Sequence, residues 1–174
     1  MIRSLVIATD QDDLIGVDGH LPWKLPSELT LFQQTTRRGV VIMGRRTFDS
    51  IGCALRERWN IVVSADRTRM FPDCTVVSDL ATAWTIAEGS GKAEAFIIGG
   101  ARLFEAAQHH IDRAYVTRVH ARINTSLARE VVHFPVGPLV ERATGVVGVH
   151  DCPASPRNSI AWTRTTHTLV RVQD

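Results

Sequence analysis

One acid near the N-terminus stands where an apolar residue is expected. In LIGVDGHLPWKLPSELTLF, residues 14–32, the pattern predicts a helix that begins near Pro26. Helical spacing places Glu28 beside Leu29 and Phe32 on the face that should be buried. A carboxylate among such side chains loses solvation and can hold or exchange a proton near neutral pH. An acid in the first turn of a helix is also favoured by the helix dipole, so the position alone is more often structural. No second acid is close in sequence, which disfavours a paired-carboxylate hydrolase and favours binding of a protonated heterocycle.

The loop before this helix, Asp10 to Leu25, is long for a strand-to-helix connection and holds two glycines. Long ordered loops of this kind are often lids. Pro22 and Pro26 would stiffen a turn in any fold, and Trp23 could simply fill the core. Their placement directly before the helix favours a site wall.

Two further segments have the composition of phosphate sites. In IMGRRTF (42–48) and AFIIGGARLFE (95–105), an apolar run meets glycine and then a helical stretch. Free backbone N–H groups at such junctions suit phosphate, and glycine lets a pyrophosphate approach the backbone. Neither segment is a GxGxxG motif, and each alone is more often a plain turn. Two such junctions on one sheet imply a dinucleotide across the carboxyl ends of its strands.

The composition of the 174 residues is that of an ordinary globular protein, with 44% hydrophobic and 22% charged residues. The net charge of +2 comes with 18 scattered Arg and 2 Lys, so no nucleic-acid footprint is present. Cys53, Cys74 and Cys152 lack metal spacing, which predicts no metal and free thiols in a reducing compartment. The apolar run Leu5 to Ala8 is too short for a membrane span or signal peptide, so we expect a cytoplasmic protein. No apolar stripe is left over, which favours a monomer.

Apolar runs alternate with helical stretches along most of the chain. The predicted strands are 4–9, 40–43, 60–65, 74–77, 95–98 and 114–119. The predicted helices are Pro26 to Arg38, Arg45 to Ile51, Asp79 to Glu88 after a Ser78 cap, and Ala101 to His109. Two further strands, 140–149 and 159–172, follow without a helix between them. The predicted fold is α/β: a single domain over residues 1–174 with a mixed, mostly parallel sheet flanked by helices and a C-terminal antiparallel strand pair.

From Ile2 to about Phe134 the sequence resembles the dihydrofolate reductase family in order and spacing, with a weaker match in the C-terminal strands. LIGxxGxLPWxLPxxLxxF, VIMGRRTFxSIG, RxNIVVS and IIGGxRLF together are highly specific, although each fragment alone is not. The resemblance implies a mixed sheet with an antiparallel edge strand. It also implies reduction of 7,8-dihydrofolate to tetrahydrofolate by NADPH, with hydride transfer to pterin C6 and protonation of N5.

The resemblance also assigns roles to residues. Glu28 would hold the amino-pyrimidine edge of the pterin by paired hydrogen bonds, with help from Thr117 and a water near Trp23, and would support proton transfer through water. Leu21 is grouped with Glu28 and Trp23 in the catalytic set, and Arg58 would bind the glutamate α-carboxylate. The matched substrate positions are Val6, Ile7, Ala8, Glu28, Leu29, Phe32, Ile51, Leu55, Arg58, Ile98, Phe104 and Thr117. The matched NADPH positions are Ala8, Ile15, Gly44, Arg45, Arg46, Thr47, Ser64, Ala65, Ile98, Gly99, Gly100, Ala101, Arg102 and Leu103.

Several positions depart from the family pattern. Phe104 replaces a tyrosine near the nicotinamide. Ala65 replaces a hydroxyl residue beside the adenosine 2′-phosphate, which weakens the case for NADPH over NADH, although arginines including Arg67 could supply charge. The loop at 124–132 lacks the Gly-Asp pair that contacts the lid in some members. Together with Leu21, the changes at Phe104 and Ala65 motivate a hypothesis of reduced affinity for antifolate drugs, which the resemblance implies as ligands besides dihydrofolate.

Two other functions are compatible with the scaffold. One is a related reductase that acts on dihydromethanopterin or a ribosylamino-pyrimidine. The other is a non-catalytic nucleotide-binding module. Arg58 and the apolar pocket favour folate, and a module that binds only nucleotide would have no use for a buried acid.

Overall fold

A central sheet of eight strands organises the structure, a computed structural model that describes residues 1–66 and 68–172. Within these residues the strands are β1 (Ile2–Thr9), β2 (Leu14–Val17), β3 (Val40–Gly44), β4 (Trp59–Val63), β5 (Cys74–Val77), β6 (Glu94–Ile97), β7 (Arg113–Val119), β8 (Val131–His133), β9 (Ala143–Cys152) and β10 (Trp162–Leu169). The main sheet has the order β5-β4-β3-β6-β1-β7-β10-β9. Its strands are parallel from β5 to β7, while β10 is antiparallel to both β7 and β9. The predicted fold class is therefore confirmed.

The helices of the described part of the chain flank the sheet or close its connections: α1 (Pro26–Thr36), α2 (Arg45–Ile51), α3 (Leu80–Gly89), α4 (Ala101–Ala107) and α5 (Gly137–Glu141). The predicted cap Ser78 is wrong, because the Asp79 side chain accepts the Thr82 backbone N–H. α4 ends two residues before the predicted end, and a 3₁₀ turn follows at 108–110. These differences shift helix ends and leave the βαβ order intact.

Three short elements were not predicted. β2 and β8 form a separate antiparallel pair, so the loop from Asp10 to Leu25 is partly ordered as a strand. α5 occupies the start of the segment predicted as strand 140–149, and β9 begins only at Ala143. Pro138 stands in the first turn of α5, where a missing N–H costs no hydrogen bond.

The two faces of the sheet have different helices and different cores. Leu5 and Ile7 of β1 belong to the cluster that includes Trp84 of α3 and Leu103 of α4. The intervening Val6 belongs to the cluster that includes Phe48 of α2, and Phe32 of α1 packs against that cluster. Successive side chains of a strand alternate between faces, so this division follows from the pleat. Within the described residues, no helix is long and apolar enough to cross a membrane.

Candidate active site

Strand register brings three chemically important positions into one row. Thr117 of β7 is the register partner of Ala8 in β1 on one side and of Arg164 in β10 on the other. Register partners present their side chains on the same face of a sheet. Thr117 and Arg164 therefore lie together on the face that α1 covers.

Glu28 of α1 meets this row. The residue is 8% exposed. Its Oε1 accepts a hydrogen bond from Thr117 Oγ1 at 3.1 Å and an ion-pair contact from Arg164 Nη2 at 2.5 Å. Arg164 Nε donates to Thr117 Oγ1 at 2.9 Å, and its Nη1 donates to Thr35 Oγ1 at 3.3 Å. The structure thus brings Glu28 and Thr117 together in a buried network that also contains a positive charge.

Glu28 also has a charged neighbour, Arg164. Burial lowers the pKa of Arg164, and the attraction of Glu28 opposes that shift. Sequence reasoning missed this arginine, although a signal was present. Trp162 and Arg164 are two residues apart in a predicted strand, so an arginine shares the face of a buried tryptophan.

The loop before α1 is held by the C-terminal hairpin. Trp23 is buried and clusters with Leu25 and Trp162. Its indole N–H has no acceptor among the described residues, which makes it available to a ligand or a water molecule. Asn158 Oδ1 accepts the Ser27 N–H at 3.1 Å, and the Trp162 indole donates to Ser27 Oγ at 3.2 Å. These contacts fix the first turn of α1, and with it Glu28.

Several residues predicted to line the substrate pocket belong to one apolar cluster. Val6 is buried in the cluster on the α1 and α2 face of the sheet, and Phe32, Leu55 and Ile98 pack against that cluster. The residues of the predicted wall with exposed side chains are Leu21 (54%), Leu29 (53%) and Ile51 (37%). The prediction that Leu29 lies on the buried stripe of α1 is wrong. Large exposed apolar side chains are common on the walls of ligand-binding sites, which is the role predicted for these three residues.

Three predicted site residues have their side chains in the core of the opposite face: Ile7, Leu103 and Phe104. Phe104 is 4% exposed and packs against Phe134 with ring centroids 5.4 Å apart. Ile7 therefore does not share a pocket wall with Val6, because the two alternate along β1. Phe104 Cζ, the atom that would carry a tyrosine hydroxyl, lies 3.8 Å from the Cβ position of Gly99.

Arg58 is fixed at the end of α1. Its Nε donates to Thr36 Oγ1 at 2.8 Å, its Nη1 to the Arg56 carbonyl at 2.6 Å and its Nη2 to the Gln33 carbonyl at 2.7 Å. Burial lowers the pKa of Arg58. A guanidinium has five N–H donors, so these contacts leave two for a carboxylate.

The two glycine junctions lie side by side. Their strands, β3 and β6, are neighbours in the sheet, and the Gly44 N–H donates to the Gly99 carbonyl at 2.7 Å. The peptide between Gly99 and Gly100 is cis. A Cβ on Gly44 would lie 3.5 Å from the Gly100 nitrogen, and one on Gly99 would lie 3.1 Å from Thr47 Oγ1. α2 and α4 both start here without a side-chain cap, so their first N–H groups are available to an anion.

The two arginines at the first junction already have partners. Arg45 pairs with Asp49 at 2.9 Å, and Arg46, 76% exposed, pairs with Glu130 at 2.5 Å. Ser64 is buried at the end of β4, where its hydroxyl donates to the Asp66 carbonyl. The other predicted cofactor positions are Ile15, partly buried against the core, Ala8 and Ala101, both partly buried, and Ala65 and Arg102, both exposed. Arg67 lies outside the described residues.

The loop from Asp10 to Leu25 contacts the 124–132 segment through Asp18, without the Gly-Asp pair of the family pattern. Asp18 Oδ1 accepts the backbone N–H groups of Arg129 at 2.9 Å and Glu130 at 2.8 Å. The β2–β8 pairing continues this contact. The aspartate of this contact therefore lies in the loop from Asp10 to Leu25, and the family pattern at 124–132 alone did not indicate it. Among residues 1–66 and 68–172, no group of three or more metal-ligating side chains is present.

Comparison with known proteins agrees with this geometry. The family model "Dihydrofolate reductase" matches residues 2–133. The dihydrofolate reductase of Bacillus subtilis (strain 168) is 44% identical over 117 residues, which are 67% of this chain and 68% of that protein. Dihydrofolate reductase type 3 of Salmonella typhimurium is 38% identical over 135 residues, 78% and 79% of the two chains.

A solved structure supports the fold. The dihydrofolate reductase from Enterococcus faecalis, complexed with NADP(H) and RAB-propyl, superimposes with a TM-score of 0.85 over 97% of this chain and 96% of that one, at 22% identity. At that identity the likeness is evidence of fold. Family and fold agree, and the chain belongs to the dihydrofolate reductase family of NADPH-dependent oxidoreductases.

Proposed function

We propose that this chain reduces 7,8-dihydrofolate to tetrahydrofolate at the site around Glu28, with hydride transfer to pterin C6 and protonation of N5. The observation that carries the proposal is the buried Glu28 carboxylate, which is held by Thr117 and bordered by an apolar wall. Both donors that reach this carboxylate within the described part of the chain use Oε1. Oε2 remains to accept N–H groups from the amino-pyrimidine edge of a pterin.

The remaining substrate groups have counterparts along the pocket. The exposed side chains of Leu21, Leu29 and Ile51 would cover the pterin and the aminobenzoyl ring. The two free N–H groups of Arg58 would bind the glutamate α-carboxylate. The Trp23 indole N–H would hold a water that links Glu28 to the ring, and Glu28 would support N5 protonation through such water.

The residues at the glycine junctions fit NADPH. A Cβ on Gly99 would lie only 3.1 Å from Thr47 Oγ1, so this junction favours glycine. The uncapped N–H groups of the two helices suit the pyrophosphate. Exposed ion pairs contribute little stability, so Arg45 and Arg46 can exchange Asp49 and Glu130 for phosphate. When bound, NADPH supplies the hydride.

Steady-state kinetics test this assignment. Wild type should oxidise NADPH when dihydrofolate is added, with NADH as the comparison cofactor. Arg58→Ala should raise KM for dihydrofolate about tenfold or more with little change in kcat. The reason is that the lost interaction would stabilise the substrate complex and the transition state equally. A dihydropterin without the glutamate tail should be unaffected by the substitution. Turnover of another pterin or a ribosylamino-pyrimidine in preference to dihydrofolate would overturn the substrate assignment.

We further propose that residues 1–174 form one domain that works as a cytoplasmic monomer and also binds antifolates. Three free cysteines support a reducing compartment. The edge strand β9 exposes Val146, Val147 and Val149, so the monomer needs a direct test by sedimentation equilibrium. A concentration-dependent dimer would overturn it.

A further inference from the structure

We propose that Arg164 is a specificity-determining and positioning residue of this site, which makes Glu28 prefer a neutral 2-amino-4-oxopteridine over a protonated 2,4-diaminopteridine. The inference rests on the proposed function, because it concerns the ligand of Glu28. It adds to that function a selection between ligands according to their charge.

The charge balance of the site carries the argument. The side chains of Arg164 and Glu28 are 3% and 11% exposed, and their closest atoms are 2.5 Å apart. A buried carboxylate without a partner would be compensated by a cationic ligand. Here Arg164 already supplies that positive charge. A protonated ligand on Oε2 would leave the buried site with one excess positive charge, whereas a neutral ligand keeps it balanced.

Hydrogen-bond number does not distinguish the two ligands. Oε1 has two lone-pair positions, and the donors Thr117 Oγ1 and Arg164 Nη2 occupy them. Both pteridines present two neighbouring N–H donors along the pyrimidine edge. Either ring can therefore satisfy Oε2, and the difference that remains is charge.

Arg164 has no alternative anion to move to. Its Nε and Nη1 are held by Thr117 and Thr35. Arg164 also lines a pocket of about 150 Å³, together with Leu31, Tyr115, His150 and other residues. None of the residues that line this pocket is a carboxylate. Within the described ranges, Glu28 is the anion at ion-pair distance from Arg164. The guanidinium charge therefore stays at the site when a ligand binds.

The test uses two ligands that differ only at position 4, one with an amino group and one with an oxo group, and measures both dissociation constants with NADPH saturating. Arg164→Met removes the charge with similar length, and Arg164→Lys keeps the charge. We expect the Met variant to shift the ratio of the two constants about tenfold or more towards the diamino ligand. The Lys variant should stay within about threefold of wild type. NADPH affinity should be equal in all three proteins, which verifies folding.

A ratio unchanged in Arg164→Met, with both ligands weakened equally, would show a merely structural role and overturn the inference. If the Met variant does not fold, Glu28→Gln and Glu28→Gln/Arg164→Met provide the same comparison without an unpaired carboxylate. The double variant should then bind the diamino ligand about tenfold more tightly, relative to the oxo ligand, than the single variant does. Wild type that binds NADPH and neither pteridine would overturn the proposed function itself.

Discussion

Replacing Thr117 with valine removes the hydroxyl that joins β7 to the Glu28–Arg164 pair. Thr117 is fully buried, and its Oγ1 donates to Glu28 and accepts from Arg164 Nε at 3.1 and 2.9 Å. Valine has nearly the same size as threonine. The substitution therefore removes two hydrogen bonds to charged groups with little change in packing.

The magnitude follows from those two bonds. A hydrogen bond to a charged group contributes about 1.5–3 kcal/mol. Glu28 and Arg164 keep their own ion pair in the variant, so we take the lower end for each bond. The free energy of unfolding should fall by about 3 kcal/mol. For a chain of this length each kcal/mol corresponds to about 2–4 °C, so Tm should fall by about 6–12 °C.

Thermal and urea unfolding measure this loss in wild type, Thr117→Val and Thr117→Ser. Serine keeps the hydroxyl and removes only a methyl group, which should cost about 1 kcal/mol. A valine variant that melts within about 2 °C of wild type would refute the reasoning. A serine variant as unstable as the valine variant would refute it too, because the hydroxyl would then not matter.

Three further predictions concern the lid, the cofactor junction and pH. Asp18→Ala should slow hydride transfer several-fold, because two backbone N–H groups at 129–130 lose their acceptor. Asp18→Asn is the control, since asparagine keeps an acceptor and tolerates the φ of 48°. Equal rates in wild type and the alanine variant would contradict this prediction. Gly99→Ala should lower Tm more than Gly100→Ala, because Gly99 has φ of 127° and its Cβ would lie 3.1 Å rather than 3.5 Å from a threonine oxygen; equal Tm losses would disprove it. Burial lowers the pKa of His167 below its ordinary 6.5, so the unfolded chain binds more protons and stability should fall as pH drops below about 6.5. His167→Gln should flatten that part of the stability profile, and an unchanged slope would count against the argument.

The sequence predicted those parts of the fold whose signal is local. The run VVIM at 40–43 is apolar at every position, as in a strand covered on both sides, and it is part of β3. β2 and β8 have only four and three residues, and their pairing depends on contact between segments far apart in sequence. The five-residue α5 is likewise too short for periodicity to reveal.

The same limit applies to the site. Helical spacing identified Glu28 as a buried acid, but its ionic partner lies 136 residues further along the chain. Periodicity within α1 carries no information about which residue of β10 faces it. Helical spacing also placed Leu29 inside, whereas the structure leaves it more than half exposed. We assign Leu29 to the wall of the proposed binding site, where a residue can be apolar without being buried.

Pre-steady-state hydride transfer in wild type and Glu28→Gln tests the central claim most directly. The rate would be followed from the loss of NADPH absorbance with both ligands saturating. Glutamine keeps the size of the side chain and removes the charge to which we assign pterin binding and support of N5 protonation. We predict a loss of about 100-fold or more with unchanged NADPH affinity. A rate within a few-fold of wild type would contradict the assignment of Glu28 as the acid of the active site.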